Sequence, residues 1–179
     1  MTPGNRNQLL LTVFIILVAL LNLAGCKRGR HTDSAQSADS PAPTPATITA
    51  NDLKKLRWIE GTWRGSGYET PFYERYHFEN DNTLIVEGLA DESLSKVTDT
   101  TRFELKDGQF GNNSEGRSVA TELTDNYITF SPVARGQNTF RFQKESADSW
   151  KAVLTWPASD KRPAGERVYL MERWPPAKR

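Results

Sequence analysis

The side chains able to do chemistry in this chain are few. Cys26 is the single thiol among 179 residues, so no intramolecular disulfide can form. Glu74, Arg75, Tyr76 and His77 stand together in one segment, with Glu87 in the next. If Glu74 and Glu87 face a lumen, they can orient a ligand by hydrogen bonds with Arg141 or Tyr169. The plainer account is a set of cross-strand ion pairs on a surface, each worth about 0.2–1 kcal/mol. Nothing in the sequence marks either carboxyl as carrying a shifted pKa, so catalysis through them is the weaker reading. His31 and His77 are the only histidines, and no His, Cys and Asp cluster has metal-ligand spacing. No metal site is expected. Gly65-Ser66-Gly67 lacks the spacing of a nucleophile elbow. Gly111 to Gly116 is polar, with no Lys-Ser/Thr after it to open a phosphate-binding helix, and reads as a loop.

Charge excludes one class of partner. The chain carries 23 Lys and Arg against 22 Asp and Glu. A nucleic-acid binder usually shows a basic surplus, so no nucleic acid is expected as partner. Five Trp, five Tyr and eight Phe supply material for a packed core.

The N-terminus reads as an export signal. Arg6 is followed by the almost wholly apolar run Leu9 to Leu21. At about 1.5 Å per helical residue this run falls short of a hydrocarbon core of roughly 30 Å. It suits the apolar region of a signal peptide. Leu23-Ala24-Gly25-Cys26 follows. This resembles the lipobox of bacterial lipoproteins at all four positions. The resemblance implies cleavage after Gly25, a diacylglycerol on the Cys26 thiol and acylation of the new amine. Several acyl chains anchor stably, because each buried methylene contributes about 0.8 kcal/mol. Lys27 follows the cysteine where inner-membrane lipoproteins often carry Asp, which implies the outer membrane, facing the periplasm.

Three regions are expected: a signal peptide at 1–25, an anchored tether at 26–50 and a folded domain at 51–179. The tether is rich in Ser, Ala, Thr and Pro and contains Pro41-Ala42-Pro43-Thr44-Pro45. Such a segment cannot bury enough apolar area to offset its ordering entropy. Lys27, Arg28 and Arg30 can touch anionic headgroups.

The domain opens with Asn51-Asp52-Leu53-Lys54-Lys55-Leu56, which predicts one or two helical turns. Strands are then expected at 62–68, 71–78, 83–89, 98–105, 119–123, 127–131, 139–143, 150–156 and 167–173, each with β-branched or aromatic residues. Turn chemistry separates them at Asn80-Asp81-Asn82, Lys106-Asp107-Gly108, Asp125-Asn126, Ala134-Arg135-Gly136 and Ser146-Ala147-Asp148. Alternation places Trp150, Ala152, Leu154 and Trp156 on one face, and Phe72, Glu74, Tyr76 and Phe78 on another. The expected class is all-β, an antiparallel barrel of about eight to ten strands after a short helix.

Trp58-Ile59-Glu60-Gly61-Thr62-Trp63-Arg64-Gly65-Ser66-Gly67 is the most informative stretch. Its Gly-x-Trp, after a short helix, resembles the lipocalin-like (calycin) barrels. The continuation Gly-x-Trp-x-Gly-x-Gly is similar to nitrobindin-type barrels, and the span from Leu53 to Trp174 is similar in layout to bacterial lipocalin-like domains that open this way. The resemblance implies that Gly61, Trp63, Gly65 and Gly67 shape the barrel's end and that a basic residue near the C-terminus stacks on Trp63. Arg173 is the first candidate and Arg167 the second. Nitrobindin-type barrels hold haem through a C-terminal histidine. Glu166 to Arg179 contains none, so no cofactor is expected.

The expected function is binding of a small apolar or amphipathic molecule of the lipid or fatty-acid class, without catalysis. Trp58, Phe72, Glu74, Tyr76, Glu87, Arg141, Trp150, Trp156 and Tyr169 are the candidate pocket residues. The alternatives are a structural or interaction module of the envelope and, less favoured, a hydrolytic enzyme using Glu74, Glu87 or His77. The anchor has a direct test. Cys26→Ser should be neither cut after Gly25 nor labelled by radioactive palmitate in cells. A form still processed and still membrane-bound overturns the assignment.

Overall fold

In the computed structural model the described residues are 43–112, 117–133, 138–160 and 162–175. The expected signal peptide, its cleavage site after Gly25, the anchor at Cys26 and most of the tether lie outside them. So does the expected turn at Ala134-Arg135-Gly136.

A capping box starts the fold. The Thr49 hydroxyl accepts the Asp52 N–H at 3.2 Å, and the Asp52 carboxylate accepts the Thr49 N–H at 3.0 Å. The helix α1 (Ala50–Leu53) runs straight into a 3₁₀ segment, Lys54–Ile59. The cap is Thr49, two residues before the expected helix start at Asn51. Leu53, Leu56 and Ile59 are buried, each contributing about 1.5–3 kcal/mol by leaving water.

Ten strands follow: β1 (Gly61–Ser66), β2 (Phe72–Asn80), β3 (Thr83–Leu89), β4 (Val97–Lys106), β5 (Gln109–Asn112), β6 (Ser118–Leu123), β7 (Tyr127–Pro132), β8 (Thr139–Lys144), β9 (Ser149–Trp156) and β10 (Gly165–Arg173). Each pairs antiparallel with its chain neighbours, and β1 pairs with β10, so the sheet closes into a barrel without an edge. All nine expected strands are present. The tenth, β5, was expected as part of a loop. It holds one large apolar residue, Phe110, beside Gly111 and Asn112, too little for a period-2 signal. Asp107 and Gly108 both take positive φ, 52° and 75°, the geometry of a tight hairpin turn between β4 and β5.

The folded unit begins before Asn51. Short β5 meets β6 through one pair, Gly111 and Val119. Beside that seam the Ala46 N–H donates to the Ala120 carbonyl at 2.9 Å, and the Ile48 N–H to the Gly108 carbonyl at 2.8 Å. Ile48 is buried in the core. The last residues assigned to the tether by composition thus patch the barrel wall.

Trp63, Gly61 and Arg173 close the base. Trp63 is 1% exposed and donates its indole N–H to the Ile59 carbonyl at 2.7 Å. The Arg173 guanidinium lies 4.2 Å from the Trp63 ring centroid. It also donates to the carbonyls of Glu60 at 3.3 Å and Ala147 at 3.1 Å. Gly61 has φ +130°, and a Cβ there would sit 2.3 Å from an Arg173 nitrogen. The guanidinium occupies the space of a side chain at position 61. The Arg173–Asp148 ion pair is exposed and adds little beside the stacking and carbonyl bonds.

Arg173→Ala should lower unfolding free energy by about 1–3 kcal/mol. Gly61→Ala should cost more than its backbone strain alone. In the double variant the clash partner is gone, so the losses should fall short of their sum by about 1 kcal/mol or more. Urea unfolding of the four proteins measures this. Strictly additive losses would mean that the guanidinium does not exclude a side chain at 61.

Candidate functional site

The lower half of the barrel is solid. Trp150 is at its centre, with Trp63 at 6.0 Å, Tyr76 at 5.4 Å and Phe142 at 5.2 Å between ring centroids. Phe142 meets Phe130, and Phe130 meets Phe103 and Phe110. Among the described residues the Trp150 N–H has no hydrogen-bond partner, and the rings of Trp63 and Tyr76 stand at 85° to the Trp150 ring.

Open space lies at the opposite end, the mouth, where the β1–β2 loop covers a cleft of about 530 Å³. That is within the roughly 300–1,000 Å³ of small-molecule sites. Gly65 and Gly67 make the loop possible. The Phe72 ring lies flat on Gly65, where a Cβ would approach it within 2.1 Å. Gly67 has φ +119° and passes close over the Val168 carbonyl. Tyr68 then folds back, its ring 5.1 Å from Tyr169, with their hydroxyls hydrogen-bonded at 2.8 Å. Arg167 lies over Tyr68 at 5.1 Å. Burial and the Tyr68 bond push the Tyr169 hydroxyl pKa up to about 12.

The floor of the cleft is acidic. Glu74 on β2 stands opposite Gly88 on β3, and Gly88 opposite Asp99 on β4. Asp99 accepts the Gly88 N–H at 3.0 Å, and its carboxylate fills the space a Cβ at 88 would take. Glu74 is 4% exposed. Its Oε2 accepts the Tyr76 hydroxyl at 2.7 Å, and among the described residues its Oε1 has no donor. Burial, reinforced by the Asp99 charge and opposed by the Tyr76 bond, raises the Glu74 pKa to about 7. Burial also raises Asp99. Tyr76 is pushed well up by burial and by Glu74.

The expected pocket residues divide. Phe72 and Glu74 line the cleft, Tyr169 backs it through Tyr68, and Tyr76 lies beneath as the partner of Glu74. Trp150 belongs to the packed base, and Trp58 packs edge-on against it at 6.2 Å; neither lines this cleft. Trp156, partly buried against the core at the mouth end of β9, is not among the residues lining the cleft; it donates to the Pro163 carbonyl at 3.1 Å with Arg162 over its ring. Glu87 and Arg141 are on the outer face. Glu87 opposes Arg75 directly and pairs with it at 3.0 Å. Arg141 binds Glu122 at 3.2 Å and lies over Tyr127. The cause is strand parity. With Glu74 opposite Gly88, residue 87 must point outward. His77 also alternates outward, so it and Glu74 cannot act on one bound molecule.

Sequence reasoning missed Asp99, Gly88, Tyr68 and Arg167 as cleft residues. Gly88 carried a signal, since a lone glycine inside a strand marks a bulge or close approach, and the register does shift between Gly88 and Leu89. Arg167, the second candidate for stacking on Trp63, stacks on Tyr68 instead.

No protein-family model and no curated protein matches the chain. Among solved structures, that of Rv2717c from M. tuberculosis matches with 14% identity and a TM-score of 0.39, over 68% of this chain and 96% of that one. No function is carried over from it.

Glu74 ties stability to pH. Its folded pKa of about 7 lies above its ordinary 4.5. Its stabilising contribution is full below 4.5 and is lost as pH rises toward 7, a difference of roughly 3 kcal/mol. Glu74→Gln keeps an acceptor for Tyr76 and cannot ionise. Relative to wild type it should gain stability progressively from pH 4.5 to 7.5 in urea unfolding. Parallel curves across that range would mean Glu74 titrates normally.

Proposed function

We propose that this protein is an envelope-tethered lipoprotein whose barrel binds a small amphipathic molecule in the mouth cleft. The observation that carries the reading is the cleft itself, with an aromatic wall, a buried acidic floor and a solid core beneath. Tyr68 and Phe72 supply an apolar wall, and Glu74 and Asp99 supply polar atoms that fix orientation. The packed base sets the depth, so a ligand enters head first and stops at the Glu74–Asp99 row. A short tether to the membrane keeps such a site close to a reservoir of amphipathic molecules.

A docking role has less support. Val168 and Leu170 are exposed on the outside of β10, at 38% and 55%. Leu170 is flanked by Ser66 and Lys151 on the paired strands. These polar neighbours interrupt the patch, whereas interaction surfaces are contiguous apolar areas.

Native mass spectrometry of residues 43–179 after exposure to an envelope lipid extract tests the proposal. A stable adduct of discrete mass is expected, weakened at least about tenfold in affinity by Phe72→Ala. A clean apo mass under gentle conditions overturns it.

A further inference from the structure

The cleft's charges are placed unevenly. Two carboxyls, Glu74 and Asp99, meet at the floor across Gly88, which has no side chain to separate them. The cation lining the cleft among the described residues, Arg167, is exposed at the rim. It is already engaged by the Tyr68 face and by the hydroxyls of Tyr68 and Tyr169. The floor thus holds a carboxylate oxygen, Glu74 Oε1, with no donor among the described residues, beside a second acid that repels its charge. Aromatic rings of Tyr68 and Phe72 stand above it.

This arrangement suits one kind of ligand head. A third anion there would meet two carboxyls in a site of low polarity, where repulsion is weakly screened. A neutral hydroxyl could satisfy Glu74 Oε1 but would not relieve the repulsion. A protonated nitrogen does both, and aromatic faces attract it further. Arg167 could hold a carboxylate at the rim, but an exposed pair is worth about 0–1 kcal/mol.

We propose that the cleft selects ligands by an ammonium head held between the Glu74 and Asp99 carboxyls, with the apolar part against Tyr68 and Phe72. This rests on the cleft being the binding site, and it replaces a fatty-acid carboxylate by an amine as the expected head. Binding also responds to pH. The groups facing Glu74 are Tyr76 on its own strand, Asp99 on β4, Arg167 on β10 and Glu69 in the β1–β2 loop. Burial and the Asp99 charge raise Glu74 to about 7. An ammonium favours its ionised form, so affinity rises with pH from 5 to 8 and a proton is released on binding.

The test uses the mature chain, residues 26–179, with Cys26→Ser to keep it in solution. Octylammonium, octanol and octanoate are titrated in a calorimeter below their aggregation limits, at pH 5 and pH 8. Octylammonium should bind at least about tenfold tighter than octanoate at pH 8, with a smaller ratio at pH 5. Buffers of different ionisation enthalpy should reveal proton release near pH 6. Glu74→Gln and Asp99→Asn, each checked for folding by near-ultraviolet circular dichroism, should each cut the ratio several-fold. Octanoate binding as tightly as octylammonium, or a ratio untouched in both variants, overturns the ammonium assignment and leaves the cleft as a binding site. If none of the three probes binds, the cleft reading fails and the ammonium assignment with it.

Discussion

The contact on which the rest of this barrel depends is the stacking of Arg173 on Trp63. It works because position 61 has no side chain, leaving room for the guanidinium beneath the ring. The same guanidinium ties the start of β1 to the β8–β9 turn through the carbonyls of Glu60 and Ala147. Trp63 is thereby held inside the barrel, where Trp150, Tyr76 and Phe142 pack against it and one another. Edge-to-face contacts of this kind add about 0.5–1.5 kcal/mol each beyond the area they bury. The base is filled by these rings, and the cleft described above opens at the mouth.

The two sides of the wall treat charge differently. Outside, acids and bases are matched: Arg75 with Glu87, Arg102 with Glu79, Arg141 with Glu122. These pairs are partly solvated and hold little energy individually. Inside, Glu74 meets a tyrosine hydroxyl and a second acid, and among the described residues no basic side chain bonds it. A carboxyl in that setting opposes folding once ionised, and an apolar residue would be better for stability. Local rules broken inside a consistent fold tend to mark function. The glycines point to the same place. Gly65 and Gly67 let the β1–β2 loop fold over the mouth, and Gly88 clears its floor.

By itself, the sequence determined the strand count to within one, which residues share a face within a strand, and the base motif. Period-2 runs such as Trp150 to Leu154 mark which residues share a face, and Gly-x-Trp followed by a terminal arginine is legible because each residue type has a distinct physical job. It did not determine which residues of different strands meet. Alternation sets parity within a strand, but the register between strands depends on bulges such as that at Gly88 and Leu89, and on closure of the barrel. Glu74 and Glu87 looked like a pair because both are acids in consecutive strands. A shift of one residue separates them through the wall, giving Glu87 to Arg75 and placing Glu74 in the same row as Asp99. Only the tertiary structure decided that row, because it arises from the spatial meeting of buried Glu74 and half-buried Asp99, side chains that carry no local mark of this placement in the chain.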